Sequence, residues 1–216
     1  MISERTLSDG PIGSVWINFK EIDSTNEKAH ALAFQGVQEG TVVTADRQTK
    51  GRGRRGRHWY SPEGGLYCSI ILRPDISPDE TVMFERMAGI ALWETINHFV
   101  PEKARVKVPN DILIKGKKVA GILIEAKWRK GKLHHLITGV GINCTGDLDS
   151  LPKELNARIT NISNEKGRLV LPSETLNILI QFMNKWYSIL MSGDIDAIYR
   201  RWKALVEEGM ACPNCY

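Results

Sequence analysis

Apolar residues recur along this chain with two periods, and the changes of period divide it into elements. Residues 14–22 alternate apolar and polar positions, the period of a half-buried strand. Ser24-Thr25-Asn26-Glu27 has capping-box spacing and opens a short helix over 29–34 that stops at Gly36. Residues 40–45 and 66–72 read as strands, the first β-branched and the second a buried run closed by Pro74. Ser77, Pro78 and Glu80 mark the start of the longest helix. Within it Met83, Phe84, Met87, Ala91, Leu92 and Phe99 recur at helical spacing, a stripe read as core packed on a sheet. From 104 to 144 the pattern becomes an antiparallel meander: runs at 106–108, 112–114, 119–128 and 133–143, with glycine in the turns at 115–117 and 129–132. A polar loop through Asn164 leads to two helices. One is expected to be capped by Ser173 and to run through Leu190 toward Gly193; the other is capped by Asp194 and runs through Val206 to Gly209. Strands first, with helices in the middle and at the end, predict an α+β fold: a mixed, largely antiparallel sheet with helices on one face.

Composition adds bounds. At 216 residues, 42% hydrophobic and 25% charged, the chain reads as one domain over 1–216, without internal repeats or a linker. The formal net charge of +4 is modest, so a coat for nucleic acid is not expected. No apolar leader and no membrane-spanning run is visible, which predicts a cytoplasmic protein with no membrane partner. Cys68 and Cys144 lie in apolar strand-like stretches and read as buried free thiols. Cys212 and Cys215 form a Cys-x-x-Cys without a second pair, so no structural metal site is expected.

The chemistry concentrates in Gly51-Arg52-Gly53-Arg54-Arg55-Gly56-Arg57, between two predicted strands. Glycines let the backbone approach a ligand, and guanidiniums offer forked donors to phosphate or carboxylate oxygens. With no acidic residue between Asp46 and Glu63, the segment reads as a mobile loop that closes over a polyanion. A solvated basic turn or a nucleic-acid patch would share this composition. The loop does not lead into a helix through Gly-Lys-Ser/Thr, so it is neither a Walker loop nor a dinucleotide fingerprint.

Together with Ser24-Thr25-Asn26, Gln48, Trp59, Pro109-Asn110-Asp111, Lys118-Val119-Ala120-Gly121-Ile122-Leu123 and Gly139-Val140-Gly141-Ile142-Asn143, this loop resembles the biotin protein ligase family. The resemblance runs from about Asp23 to the segment Arg201-Trp202-Lys203. It implies a catalytic domain like that of class II synthetases and biotin or lipoate ligases, and a two-step reaction. Biotin's carboxylate attacks the α-phosphate of ATP to give biotinyl-5′-AMP, and a lysine of a carboxylase's biotin acceptor domain then displaces AMP.

The resemblance assigns catalytic roles to Arg52, Lys118 and Asp111. It places Ser24, Thr25, Asn26, Gln48, Gly51, Arg52, Arg54, Lys118 and Gly121 at biotin, and Arg54, Arg57, Trp59, Asn110, Gly139, Gly141 and Asn143 at the nucleotide. Biotin and ATP are the implied substrates, Mg²⁺ the accompanying ion, and a homodimer a possible assembly. His134 and His135 receive no role. The chain departs from the family pattern in carrying Val108 before Pro109, in having only some twenty residues before Ser24, where a DNA-binding module could stand, and in ending at Tyr216, where a small SH3-like barrel commonly follows. The expectation is therefore a DNA-free form with that barrel absent or truncated. A lipoate or octanoate ligase, and a non-catalytic biotin- or RNA-binding relative, are the alternatives.

Overall fold

In the computed structural model, which describes residues 3–146 and 153–210, eight strands form one sheet in the order β1-β2-β3-β4-β8-β7-β6-β5. They are β1 (Ser3–Arg5), β2 (Trp16–Ile22), β3 (Val42–Gln48), β4 (Gly65–Leu72), β5 (Ala104–Lys107), β6 (Asp111–Ile114), β7 (Lys117–Arg129) and β8 (Lys132–Asn143). Only β2 and β3 pair parallel; the other neighbours are antiparallel. The parallel pair is joined by α1 (Thr25–Phe34), the crossover that such a pairing requires. The meander follows the expected turns: Lys115-Gly116 and Lys130-Gly131 all have positive φ, from 51° to 77°, as two-residue hairpins of the inward-twisting type demand.

Alternation along the strands gives the sheet two faces. Ile70, Leu72, Leu136, Val140, Ile142, Ala120 and Ile122 bury against α2 (Thr81–Phe99), α5 (Pro172–Met191) and α6 (Ile195–Met210), which supply Phe84, Met87, Ile90, Leu92, Leu179, Ile180, Ile198 and Leu205 to the same core. The expected placement of helices on one face holds for these three. α1 is the exception: its Ala29 and Ala33 pack on Val43, Ile71 and Ile137 from the opposite side, as a separate small cluster. The carbonyls of Ala33, in its last turn, and of Val37, three residues beyond its end, accept from the Arg73 guanidinium, both at 2.9 Å, which fixes the helix to the end of β4.

Several boundaries differ from the expectation. Ser24 stands at the N-cap of α1 but its side chain does not cap, and Glu27 turns to Arg52 instead of closing a box. The second box forms: Glu80 accepts from the Ser77 amide at 2.7 Å and hydroxyl at 2.8 Å, ahead of one 3₁₀ turn (Pro78–Glu80) and then α2. The N-cap of α5 is Leu171, two residues before the expected Ser173, with Pro172 in the first turn, where a missing N–H costs nothing. Asp194 caps α6 through the Ala197 amide, 3.0 Å. The polar stretch after Asn143 contains α3 (Lys153–Asn156) and α4 (Ile162–Lys166), and its residues Arg158 and Thr160 exchange backbone bonds with Lys118. Cys68 and Cys144 are buried free thiols, whereas Cys212 and Cys215 lie outside the described residues.

Candidate active site

On the face that carries α1, register across three strands lines up the floor of a cleft. Ser69, Gly139 and Leu123 form one row across β4, β8 and β7; Tyr67, Gly141 and Gly121 form the next, and Asp111 of β6 extends it. The glycines keep this floor low. A Cβ on Gly141 would stand 2.6 Å from the indole of Trp59, and one on Gly139 would stand 2.9 Å from the Asn26 amide carbon. A side chain at either position would occupy the space that Trp59 and Asn26 now share with the cleft.

One end of the cleft is a buried polar chain at the start of α1. Gln48 Oε1 accepts from the Thr25 amide at 2.7 Å and its hydroxyl at 3.1 Å. Gln48 Nε2 donates to Ser61 Oγ at 2.8 Å, and Ser61 Oγ to the Trp59 carbonyl at 2.9 Å. Ser69 Oγ donates to Asn26 Oδ1 at 2.6 Å and lies 2.8 Å from Thr25 Oγ1. The root of the basic loop is thus wired to the floor.

That loop folds back as a hairpin rather than standing open. The Gln48 and Trp59 amides donate to Ser61 and Gly51 carbonyls, the Gly53 amide to Arg57, and Arg54–Gly56 makes one 3₁₀ turn at the tip. Trp59 lies over Gly121 and Gly141, with Lys118 Nζ 4.8 Å from its ring centroid, and its indole nitrogen is buried without a partner. Arg52 reaches across the cleft to Glu27 and, through Nη2 at 2.7 Å, to Glu125 Oε1. Lys118 Nζ pairs with Asp111 Oδ1 at 2.6 Å.

The inner cavity measures about 60 Å³. A larger outer cleft of about 230 Å³ opens beside it. Trp59 and the loop bound the inner cavity over the glycine floor, so the loop is placed to act as a flap. Of the residues named from sequence, Ser24, Thr25, Asn26, Gln48, Arg52, Arg54, Trp59, Asn110, Lys118, Gly121, Gly139 and Gly141 line the inner cavity. Arg57 and Asp111 line the outer cleft, which shares Arg54, Trp59, Asn110 and Lys118 with it. Two residues line neither. Gly51 sits at the root of the flap, where a Cβ would meet the Ser61 hydroxyl at 2.5 Å. Asn143 donates to the Thr160 carbonyl at 3.0 Å and, weakly at 3.4 Å, to that of Lys118, holding the segment after β8 against β7.

Ser61, Tyr67, Ser69, His30 and Glu125 belong to the site and escaped the sequence reading. Two had a visible signal: Ser69 is a hydroxyl inside the apolar run of β4, and Glu125 a charge inside that of β7. Burial pushes the Tyr67 phenol well above its ordinary range, so it stays a neutral donor, here to the Pro62 carbonyl at 2.7 Å. Burial alone would also raise the Glu125 carboxyl, but His30, the Asn26 amide and Arg52 outweigh it and bring it down to about 2.

A glycine-floored cleft lined by buried polar groups and by cations, under an arginine-rich flap, is a site for an amphiphilic ligand that ends in an anion. This site lies within residues 18–143, which match the sequence profile of the Biotin/lipoate A/B protein ligase family, and the chain belongs to that family. Relatives include the bifunctional ligase/repressor BirA of Bacillus spizizenii, 36% identical over 184 residues that make up 85% of this chain and 57% of that protein. Another is the biotin--[acetyl-CoA-carboxylase] ligase of Paracoccus denitrificans, 33% identical over 84% of this chain and 77% of that one. The chain thus spans little more than half the length of the first relative. Among solved structures, the biotin protein ligase from Aquifex aeolicus in complex with biotin and ATP is similar, with a TM-score of 0.67 and 34% identity over 81% of this chain and 70% of that one. Among the described residues, no helix is long and apolar enough to cross a membrane.

Proposed function

We propose that this chain catalyses ATP-dependent attachment of biotin to a lysine of a carboxylase's biotin acceptor domain, by way of biotinyl-5′-AMP. The observation that carries the reading is the lining of the cleft: the buried hydrogen-bonding groups of Ser24, Thr25, Asn26 and Gln48, the cations Arg52 and Lys118, and a bare glycine floor. A ureido ring presents two donors and one acceptor and can join such a buried hydrogen-bonding chain, whereas the dithiolane or alkyl end of lipoate or octanoate offers it no partner. Biotin's aliphatic chain fits over the glycines, and its carboxylate falls at Arg52 and Lys118.

In the first step a carboxylate oxygen attacks the α-phosphorus, forming a C–O–P bond as the bond from phosphorus to the pyrophosphate oxygen breaks. Two anions meet there, so the arginines of the flap and Lys118 act by placing positive charge where negative charge gathers. Mg²⁺ enters with ATP as substrate. Asp111 is the one carboxylate among the outer-cleft residues and is paired with Lys118, so the ion would ride on the phosphates rather than in a protein cage. In the second step the acceptor amine attacks the acyl carbon and AMP leaves; Asp111, at the cleft mouth, orients the amine and takes its proton once Lys118 turns to the ligand. The closed flap keeps water from the mixed anhydride.

In this reading the protein works in the cytoplasm, with no DNA partner, and β1 and β5, the strands at the two sheet edges, are where a second copy would pair. The test is incubation with MgATP, an acceptor domain and either biotin, lipoate or octanoate. Mass spectrometry should find biotinyl-5′-AMP and a biotinylated lysine. Adduct with lipoate or octanoate in preference to biotin, or no adenylate with any of them, refutes the proposal.

A further inference from the structure

Glu125 interrupts the otherwise apolar run 119–126 of β7 and faces the cleft between the floor and the flap. Its Oε2 accepts from Asn26 Nδ2 at 2.7 Å and its Oε1 from Arg52 Nη2 at 2.7 Å. Behind it lies a row of three imidazoles. His30 Nε2 stands 3.7 Å from Oε2, an ion-pair distance; His30 Nδ1 is 2.7 Å from His135 Nε2, and His135 Nδ1 is 2.7 Å from His134 Nδ1. One assignment satisfies every close nitrogen pair with neutral rings: His134 donates to His135, His135 to His30, and the remaining N–H of His30 points at the carboxylate. Burial first, and then the cost of adding positive charge beside the other imidazoles, Arg73 and Lys127, holds His135 down at about 4, so it stays neutral at physiological pH.

We propose that Glu125 is a positioning residue for the adenylation proposed above, holding Asn26 at the floor and Arg52 in the flap in one geometry so that the two order together. Both partners are donors, so the role requires two acceptor oxygens. Glutamine offers one, and its amide would face either Asn26 Nδ2 or Arg52 donor to donor. Glu27, the other carboxylate on Arg52, is half exposed and a weak tether. An incoming carboxylate exchanges with Glu27 at Nη1 while Nη2 stays on Glu125, and Arg52 reaches the ligand already oriented.

Two readouts on the full chain test this. In single-turnover assays with biotin and MgATP, Glu125→Gln should slow adenylate formation about tenfold to a hundredfold, the cost of a lost charge-assisted bond. In an Arg52→Ala background the same substitution should cost less than about threefold, because it acts through that arginine. In the ligand-free protein, trypsin can cut after Arg52 only when the guanidinium leaves the carboxylates. Cleavage there, read by mass spectrometry against cleavage after the exposed Arg55, should rise about tenfold in Glu125→Gln. Glu125→Asp, with both acceptors on an arm one methylene shorter, should fall between wild type and Gln in both readouts. A wild-type rate in Glu125→Gln, an equal loss with and without Arg52, or an unchanged cleavage ratio overturns the proposal. Should the Gln variant not fold, an Asp variant cut after Arg52 at the wild-type ratio does the same. A wild-type protein that makes no adenylate would sink the proposed function, while the cleavage ratio would still decide the role of Glu125.

Discussion

Gly139→Ala probes how tightly the floor is built. The new Cβ would stand 2.9 Å from both Cγ and Nδ2 of Asn26, and closer to Oδ1, where ordinary contact needs about 3.5 Å. The amide cannot swing away freely, because Oδ1 accepts from Ser69 at 2.6 Å and Nδ2 donates to Glu125 at 2.7 Å. Withdrawal by about 1 Å would take both bonds past useful length. A neutral bond is worth about 1 kcal/mol and a charge-assisted one about 1.5–3, so the substitution should cost about 2.5–4 kcal/mol. For a domain of this size that lowers Tm by about 5–15 °C. Differential scanning fluorimetry reads the stability, and calorimetric titration should show biotin affinity falling with it. Asn26→Ala supplies the internal check: with the amide gone, the same Gly139→Ala step should shift Tm by less than about 2 °C. A Gly139→Ala protein with wild-type Tm, or one equally penalised with and without Asn26, would refute the geometry.

Four further outcomes follow from the site. Arg52→Ala should leave the fold intact and slow adenylate formation or retention on the order of 10²–10³-fold, as loss of one preorganised charge does; unchanged adenylate kinetics would remove Arg52 from the reaction. Lys118→Gln should weigh on adenylation and Asp111→Asn on transfer to the acceptor, read in separated half-reactions, and equal damage to both steps in both variants would dissolve that division. Stability should depend on pH in one direction. His135 is held at about 4 against an ordinary 6.5, and Glu125 at about 2 against 4.5, so in both cases the unfolded chain takes up the proton first. Their contributions are complete above about pH 6.5, and Tm should fall from there toward 4 through His135, then further below 4.5 through Glu125; His135→Gln should flatten the upper limb, and a Tm that climbs on acidification contradicts the assignment. Finally, burial pushes the Cys68 and Cys144 thiols up to about 12, so peptide-level mass spectrometry of native protein treated with iodoacetamide should find both unmodified, and their rapid alkylation would mean the core is looser than described.

What the sequence determined by itself is local. Strand and helix periods, the hairpins at Lys115-Gly116 and Lys130-Gly131 and the cap at Asp194 depend on residues a few positions apart, so they were legible along the chain. Most of the site was legible too, since glycines and cations at those spacings announce a ligand, and the family resemblance grouped them. Register, burial and partner choice depend on residues far apart, and only the tertiary structure decided them. The pairing of β4 with β8 and β7 sets Ser69 beside Gly139, and α1 crossing the face above brings Asn26 onto both. Glu27 has the spacing of a capping residue, but a guanidinium offers it a charged partner that the helix end does not. Asn143 ends its strand beside Lys118 and Thr160 and bonds carbonyls there rather than lining the cleft. The two histidines left without a role in the sequence stand, in the fold, behind a carboxylate that holds the floor and the flap; a buried ring nitrogen needs a partner, and residues 30, 125, 134 and 135 meet only once the sheet has formed.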